Sequence, residues 1–206
     1  MHAQELQESL GRIDIYLLDQ ILRGHVPTGS RVLDAGCGGG RNLVYFLRAG
    51  HPVAGTDHDP EAIAAAQRLA TEVAPKADIS DLRVEPVEAL SFDDATFDLV
   101  ICNAVLHFAR DHEHWDAMLD ELWRVLTPGG MLFTRLASSI GIEAAITPIE
   151  PSLSGHFMLP DGSGRYLVDE RRLLDATMRL GGALVDPIKT TNVQGLRCMT
   201  TWVVGK

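Results

Sequence analysis

The chain reads as a doubly wound α/β domain with a mostly parallel sheet, on three observations. An apolar strand, Val32-Leu33-Asp34-Ala35, runs straight into the glycine turn Gly36-Cys37-Gly38-Gly39-Gly40. A second strand, Val53-Ala54-Gly55-Thr56-Asp57, ends on a carboxylate, and helix-spaced and strand-like apolar patterns alternate from there onward. With 206 residues and 46% hydrophobic content the chain can bury one sizeable core, and no linker or repeat divides it. A single domain, 1–206, is expected.

Taken in order, Leu6, Leu10, Ile13, Leu17 and Leu18 fall at helical spacing and predict one leading helix. Residues 1–28 would then form a helical cover beside the ligand mouth. In the turn, Gly36, Gly38 and Gly40 permit positive φ, and the helix opening near Arg41 aims its unpaired N–H groups at a negatively charged or hydroxyl-rich ligand. Asp57 lies about twenty residues past the first glycine, where a carboxylate can accept from both hydroxyls of a ribose. Asp59-Pro60-Glu61 reads as a helix start, with Ile63, Ala66, Ala70 and Val73 as the inward face.

Phe97–Asn103 is strand-like. Trp115, Met118, Leu119, Leu122, Val125 and Leu126 form a wide helical face that Thr127-Pro128-Gly129-Gly130 is expected to stop, and Met131-Leu132-Phe133 opens the next strand. The segment Ser138 to Tyr166 is rich in Gly, Pro and Ser and longer than a connection needs. It carries Ile146, Ile149, Leu153, His156, Phe157, Met158 and Arg165, a mix suited to covering a small organic molecule, so 138–166 is expected to be a lid. Leu173, Leu174, Thr177 and Met178 make a helical face ending at Gly181-Gly182, and Ala183–Val185 and Met199–Val204 read as strands.

The net charge of −10 and the absence of any lysine or arginine run argue against a nucleic-acid partner, since phosphate binding needs a positive surface. Arg171-Arg172 reads as a solvated helix face. Apolar runs are strand-length, and the first residues lack the basic start and apolar centre of a signal peptide, so no membrane association and a cytoplasmic location are expected. Cys37, Cys102 and Cys198 are odd in number and at no metal spacing, and read as reduced, buried residues.

The turn Asp34-Ala35-Gly36-Cys37-Gly38-Gly39-Gly40 resembles the first motif of the class I S-adenosylmethionine-dependent methyltransferases, an acid-x-Gly-x-Gly-x-Gly after an apolar strand. A dinucleotide fingerprint would put glycine where Arg41 stands. Phe97–Asn103 is similar to the family's fourth strand, and Leu126–Phe133 to its helix-turn-fifth strand. With Arg41-Asn42 and Leu43–Leu47, the turn is also similar to tellurite-resistance and thiopurine methyltransferases.

The resemblance implies a seven-stranded sheet closed by a C-terminal antiparallel pair, and S-adenosyl-L-methionine as cofactor. Asp34 would face the methionine amino end and Asp57 the ribose. Gly36, Cys37, Gly38, Gly40, Asn42, His58, Val87, Glu88 and Asn103 complete the implied cofactor set. The acid that usually meets adenine falls on Pro86, leaving Glu88, Glu85 or the Val87 backbone N–H to read the ring.

Methyl transfer asks the protein mainly to align an acceptor. His107 is the candidate general base, or else a pocket wall. Asn103 is followed by Ala104-Val105-Leu106, not by the Pro-Pro-aromatic of DNA amino-methyltransferases, which argues against planar nucleobase amines as acceptors, and a small-molecule acceptor is expected. His107, Asp111, His112 and His114 lack a supporting ligand cluster, and no metal is expected. A nicotinamide oxidoreductase and a non-catalytic binder of S-adenosylmethionine or S-adenosylhomocysteine are the alternatives. The sequence is compatible with a homodimer and does not set the oligomeric state.

Overall fold

The computed structural model describes residues 3–149 and 155–206. Two short helices, α1 (Ala3–Leu10) and α2 (Ile15–Leu22), stand where one leading helix was expected. Gly11 breaks the run at φ +62°, where a Cβ would press into Val44, and Asp14 restarts it by accepting from the Tyr16 N–H at 2.9 Å. Then come β1 (Val32–Ala35), α3 (Leu43–Ala49), β2 (Val53–Asp57), α4 (Pro60–Val73), β3 (Leu82–Val84) and β4 (Phe97–Asn103). A single 3-10 turn, Leu106–Phe108, leads to α5 (His112–Val125) and β5 (Leu126–Ser138). A small sheet of β6 (Thr147–Pro148), β7 (His156–Met158) and β8 (Gly164–Tyr166) precedes α6 (Glu170–Arg179), β9 (Ala183–Leu184), β10 (Lys189–Val193) and β11 (Arg197–Gly205).

The main sheet runs β3-β2-β1-β4-β5-β11-β10, with β9 as a stub on β11. The first five are parallel; β11 is antiparallel to β5, and β10 to β11. This is the doubly wound sheet with its antiparallel closure. The expected strand at Ala183–Val185 shrinks to the stub, and the outer strand is instead Lys189-Thr190-Thr191-Asn192-Val193. As an edge strand it is half-solvated and needs no apolar face, which hides it from a hydrophobic pattern.

The Thr127–Gly130 stretch does not lie outside the strand either. Pairing shifts from Phe97↔Leu126 to Leu99↔Met131, so these residues bulge out of β5 while α5 already ends at Val125. In α6 the buried face is Leu173, Ala176 and Thr177, whereas Met178 is 71% exposed.

Alternation along β4 supplies both layers. Leu99 and Ile101 face α2 and α3 with Leu17, Phe46 and Phe133, while Val100 and Cys102 face α5 and α6 with Trp115, Leu119, Leu122 and Trp202. Arg172 is no solvated charge, since it lies over Trp115 and pairs with Asp116 at 2.8 Å. The three cysteines are free thiols and buried. No helix among the described residues is long and apolar enough to cross a membrane.

Candidate functional site

The turn after β1 hangs on β2: the Gly36 and Cys37 N–H groups both donate to the Thr56 carbonyl, at 2.7 and 2.8 Å. Its glycines serve three different ends. At Gly36 (φ +76°) a Cβ would collide with Val105; at Gly40 (φ +81°) it would crowd Ala66 of α4 at 3.3 Å; at Gly38 (φ +53°) it would meet nothing within 4 Å. Only Gly38 therefore opens onto free space. Its N–H donates to Asp57 Oδ2 at 2.9 Å, and the Asp59 N–H donates to Oδ1 at 3.0 Å. The acid at the end of β2 is thus locked to the glycine turn while each oxygen keeps a further lone pair.

A cavity of about 630 Å³ opens at the carboxyl ends of β1, β2 and β4, where doubly wound sheets bind ligands. Of the expected residues it is lined by Gly36, Asp57, His58, Val87, Glu88 and Asn103. A larger one, about 750 Å³, lies at the amino ends of the same strands around Arg31, Pro52 and Ala74, and size alone does not mark the site.

Asp34 sits below the turn, 1% exposed, and neither carboxylate oxygen has a hydrogen-bond partner. Burial pushes its carboxyl up to about 7, against the opposing pull of Arg41 and Asn42 and with the charge of Asp57 adding to the rise. The Asn103 amide nitrogen is likewise buried without an acceptor.

Three of the expected residues are also engaged inside the protein. Cys37 points into the α3–α4 core, and burial pushes its thiol up. Gly40 serves helix packing. The Asn42 Oδ1 accepts from the Asp14 N–H at 3.1 Å, tying the N-terminal cover to the turn. Between the two acids proposed for the ring, Glu85 is spent on the Ser91 N–H at 3.0 Å, whereas Glu88 lines the cavity with His114 Nε2 3.0 Å away, outside hydrogen-bond geometry.

Pro86, Ala104, Val105, Phe108, His114 and Met118, which the sequence does not mark as cofactor contacts, complete the wall. His114 and Met118 are four apart on α5 and share a face; that spacing was the available signal. Ala104 holds φ +64°, a left-handed backbone rare outside glycine.

Ala104 also borders a second cavity, about 320 Å³, lined by His107, Arg135, Ala137, Leu159, Asp161, Ser163, Arg165, Val193, Arg197 and Met199. His107 is 6% exposed, and its Nδ1 accepts from the Ala137 N–H at 3.1 Å. A ring nitrogen that accepts carries no proton, so neutral His107 bears its hydrogen on Nε2. Burial, with the Arg165 charge, brings its pKa down to about 4. The general-base role therefore does not fit: the lone pair is spoken for, and Nε2–H is a donor to the cavity.

Part of the 138–166 segment builds this second wall. The His156 Nε2–H donates to the Ala109 carbonyl at 3.0 Å, and the Arg165 guanidinium lies 4.9 Å from the Phe108 ring, docking β7 and β8 on the turn after β4. Leu153 falls outside the described residues. His112 bonds Tyr166 Oη and Asp111 caps α5 through the His114 N–H, and among the described residues no three His, Cys, Asp or Glu side chains are placed to hold a metal ion.

With this geometry in view, residues 33–134 match the model of a family described as a methyltransferase domain. A malonyl-[acyl-carrier protein] O-methyltransferase of Erwinia billingiae is 38% identical over 125 residues, covering 59% of this chain and 46% of that protein. Among curated relatives the chain spans between 46% and 64% of their length. A solved S-adenosylmethionine-dependent methyltransferase of Methanosarcina mazei superposes with a TM-score of 0.73 at 22% identity, over 90% of this chain and 96% of that one. The 1,6-didemethyltoxoflavin-N1-methyltransferase of Burkholderia thailandensis, solved with 1,6-didemethyltoxoflavin and S-adenosylhomocysteine bound, gives 0.66 at 21% identity, over 95% and 79%.

Proposed function

Since the chain belongs to the class I S-adenosylmethionine-dependent methyltransferases, we propose that it transfers a methyl group from S-adenosylmethionine to a small-molecule acceptor. The observation that carries the reading is the pair of acids at the first cavity: Asp57, locked to the glycine turn at the mouth, and Asp34, buried beneath it without a donor. The residues fit the cofactor. Asp34 is an orphaned acceptor for the amino group of the methionine end, the open side of Gly38 leaves room for that end, and Asp57 keeps lone pairs for ribose hydroxyls. Val87 and Glu88 flank the place left for adenine, and Asn103 offers its free amide hydrogens.

When bound, the cofactor supplies a methyl group on a positively charged sulfonium. The protein's own work is alignment: Ala104 belongs to both cavities, so an acceptor in the second lies beside the end of β4 that borders the first. His107 contributes a hydrogen-bond donor there. A small acceptor is supported by the second cavity's volume of about 320 Å³, and the small-molecule ligand of the Burkholderia structure points the same way. On this reading the chain is one domain, with the described part of 138–166 from Leu159 to Arg165 on the acceptor side. Three buried thiols suit a reducing, cytoplasmic setting, and the net charge of −10 disfavours nucleic acid.

Calorimetric titration with S-adenosylhomocysteine tests the reading, with one site per chain expected. Asp57→Asn keeps the size of the side chain but turns one of its two accepting oxygens into a donor, so a backbone bond to the turn and a charged acceptor for the ligand are lost together, and affinity should fall roughly tenfold to a hundredfold. Unchanged affinity in the folded variant, or binding of NADH in place of S-adenosylhomocysteine, would remove the cofactor assignment.

A further inference from the structure

Resting on the cavity assignment just made, we propose that the acceptor carries an anionic group, a carboxylate or a phosphate, which Arg135, Arg165 and Arg197 hold in the second cavity beside the Nε2–H of His107. The chain as a whole carries −10, yet three guanidinium groups and one carboxylate, Asp161, line this small space. Such a local reversal of sign is what focuses an anionic ligand.

The one acid is already committed. Asp161 accepts from the Ser163 N–H at 3.0 Å and lies 3.5 Å from Arg197. Arg135 is braced from behind by Asp14, at 2.8 Å, which is not part of the lining, and its Nε is buried with no acceptor. Arg165 donates to the Gly164 carbonyl at 2.7 Å, lies over Phe108, and has no carboxylate partner among the described residues. Guanidinium groups offer planar forks that match the paired oxygens of carboxylate and phosphate.

The remaining lining sets the body of the ligand. Ala137, Leu159, Val193 and Met199 are apolar, so the cavity suits a compact apolar skeleton with a charged head. With the head among the arginines, the other end of such a molecule reaches the Ala104 border, where the two cavities meet.

Three probes test this by NMR titration of the protein saturated with S-adenosylhomocysteine: benzoate, inorganic phosphate and the neutral benzamide. Saturable binding of benzoate or phosphate is expected, with benzamide clearly weaker, and the preferred anion identifies the headgroup. Arg165→Gln combined with Arg197→Gln should weaken that anion roughly tenfold or more, Arg135 being left intact because it also anchors Asp14. Anion binding that is absent, equal in the double variant, or matched by benzamide overturns the proposal. S-adenosylhomocysteine titrations of the same samples keep the two readings apart. Retained cofactor affinity in the double variant shows it folded, so an unchanged anion affinity then counts against the arginines alone; wild-type protein that fails to bind S-adenosylhomocysteine counts against the cofactor.

Discussion

Asp34 is a carboxyl group that the fold buries without giving it a donor, and its titration follows from that. Its pKa rises to about 7 in the folded chain, against the ordinary carboxylate value that the unfolded chain retains. In the window between those values the folded state holds a proton that the unfolded state has released, so stability falls as pH climbs through it and stays reduced above 7. Asp34→Asn should remove this slope. Thermal melts are expected to show the variant more stable than the parent above pH 7, by about 1 kcal/mol or more, with the difference closing as pH falls toward 4. Its affinity for S-adenosylhomocysteine should drop at the same time; melting curves that stay parallel across the range would contradict the assignment. His107 behaves in the opposite sense. With its pKa brought down to about 4, any stability tied to the neutral ring is lost as pH falls below the ordinary histidine range and through 4. That ring was legible in the sequence as a polar group near the acceptor, but its role was not, because the Ala137 N–H that occupies Nδ1 comes from a strand thirty residues away.

At the scale of elements, the glycine turn looks like one motif in sequence and divides into separate jobs in space. Gly36 is needed because Val105 packs against it, whereas Gly38 faces an opening. Gly36→Ala should cost about 2–3 kcal/mol in urea denaturation, combining overpacking with positive φ, and Gly38→Ala about 1 kcal/mol from backbone strain alone. Adding Val105→Ala should recover part of the first loss and none of the second. A double variant no more stable than the sum of its parts would mean that the two residues do not press on each other. Elements with an apolar stripe, such as α4 and α5, are legible in the sequence close to their true limits. The polar edge strand β10 is not, and the apolar spacing runs on through Gly11 because periodicity does not register a break that a neighbouring helix imposes.

Across the whole molecule, Asp14 joins parts that are distant in sequence. It is 3% exposed, caps α2, receives Arg135 at 2.8 Å, and its N–H meets Asn42 at 3.1 Å, so the N-terminal cover, the glycine turn and the second cavity share one node. Asp14→Ala strips a cap and leaves the Arg135 charge partly buried and unpaired, which should cost about 2–4 kcal/mol. Urea denaturation of the single variant and of its combination with Arg135→Gln checks this: the combination should cost clearly less than the two single losses added together, and simple additivity would deny the coupling. The sequence by itself determined the alternation of strand and helix through the parallel part of the sheet, the glycine turn and the acid that closes it, because hydrophobic period, backbone permissiveness and capping are local properties. Only the tertiary structure decided which of those residues line the two cavities. The inward turn of Cys37, the tether made by Asn42, the donor state of His107 and the gathering of Arg135, Arg165 and Arg197 all depend on contacts between segments far apart in the chain, and no local pattern encodes such a meeting.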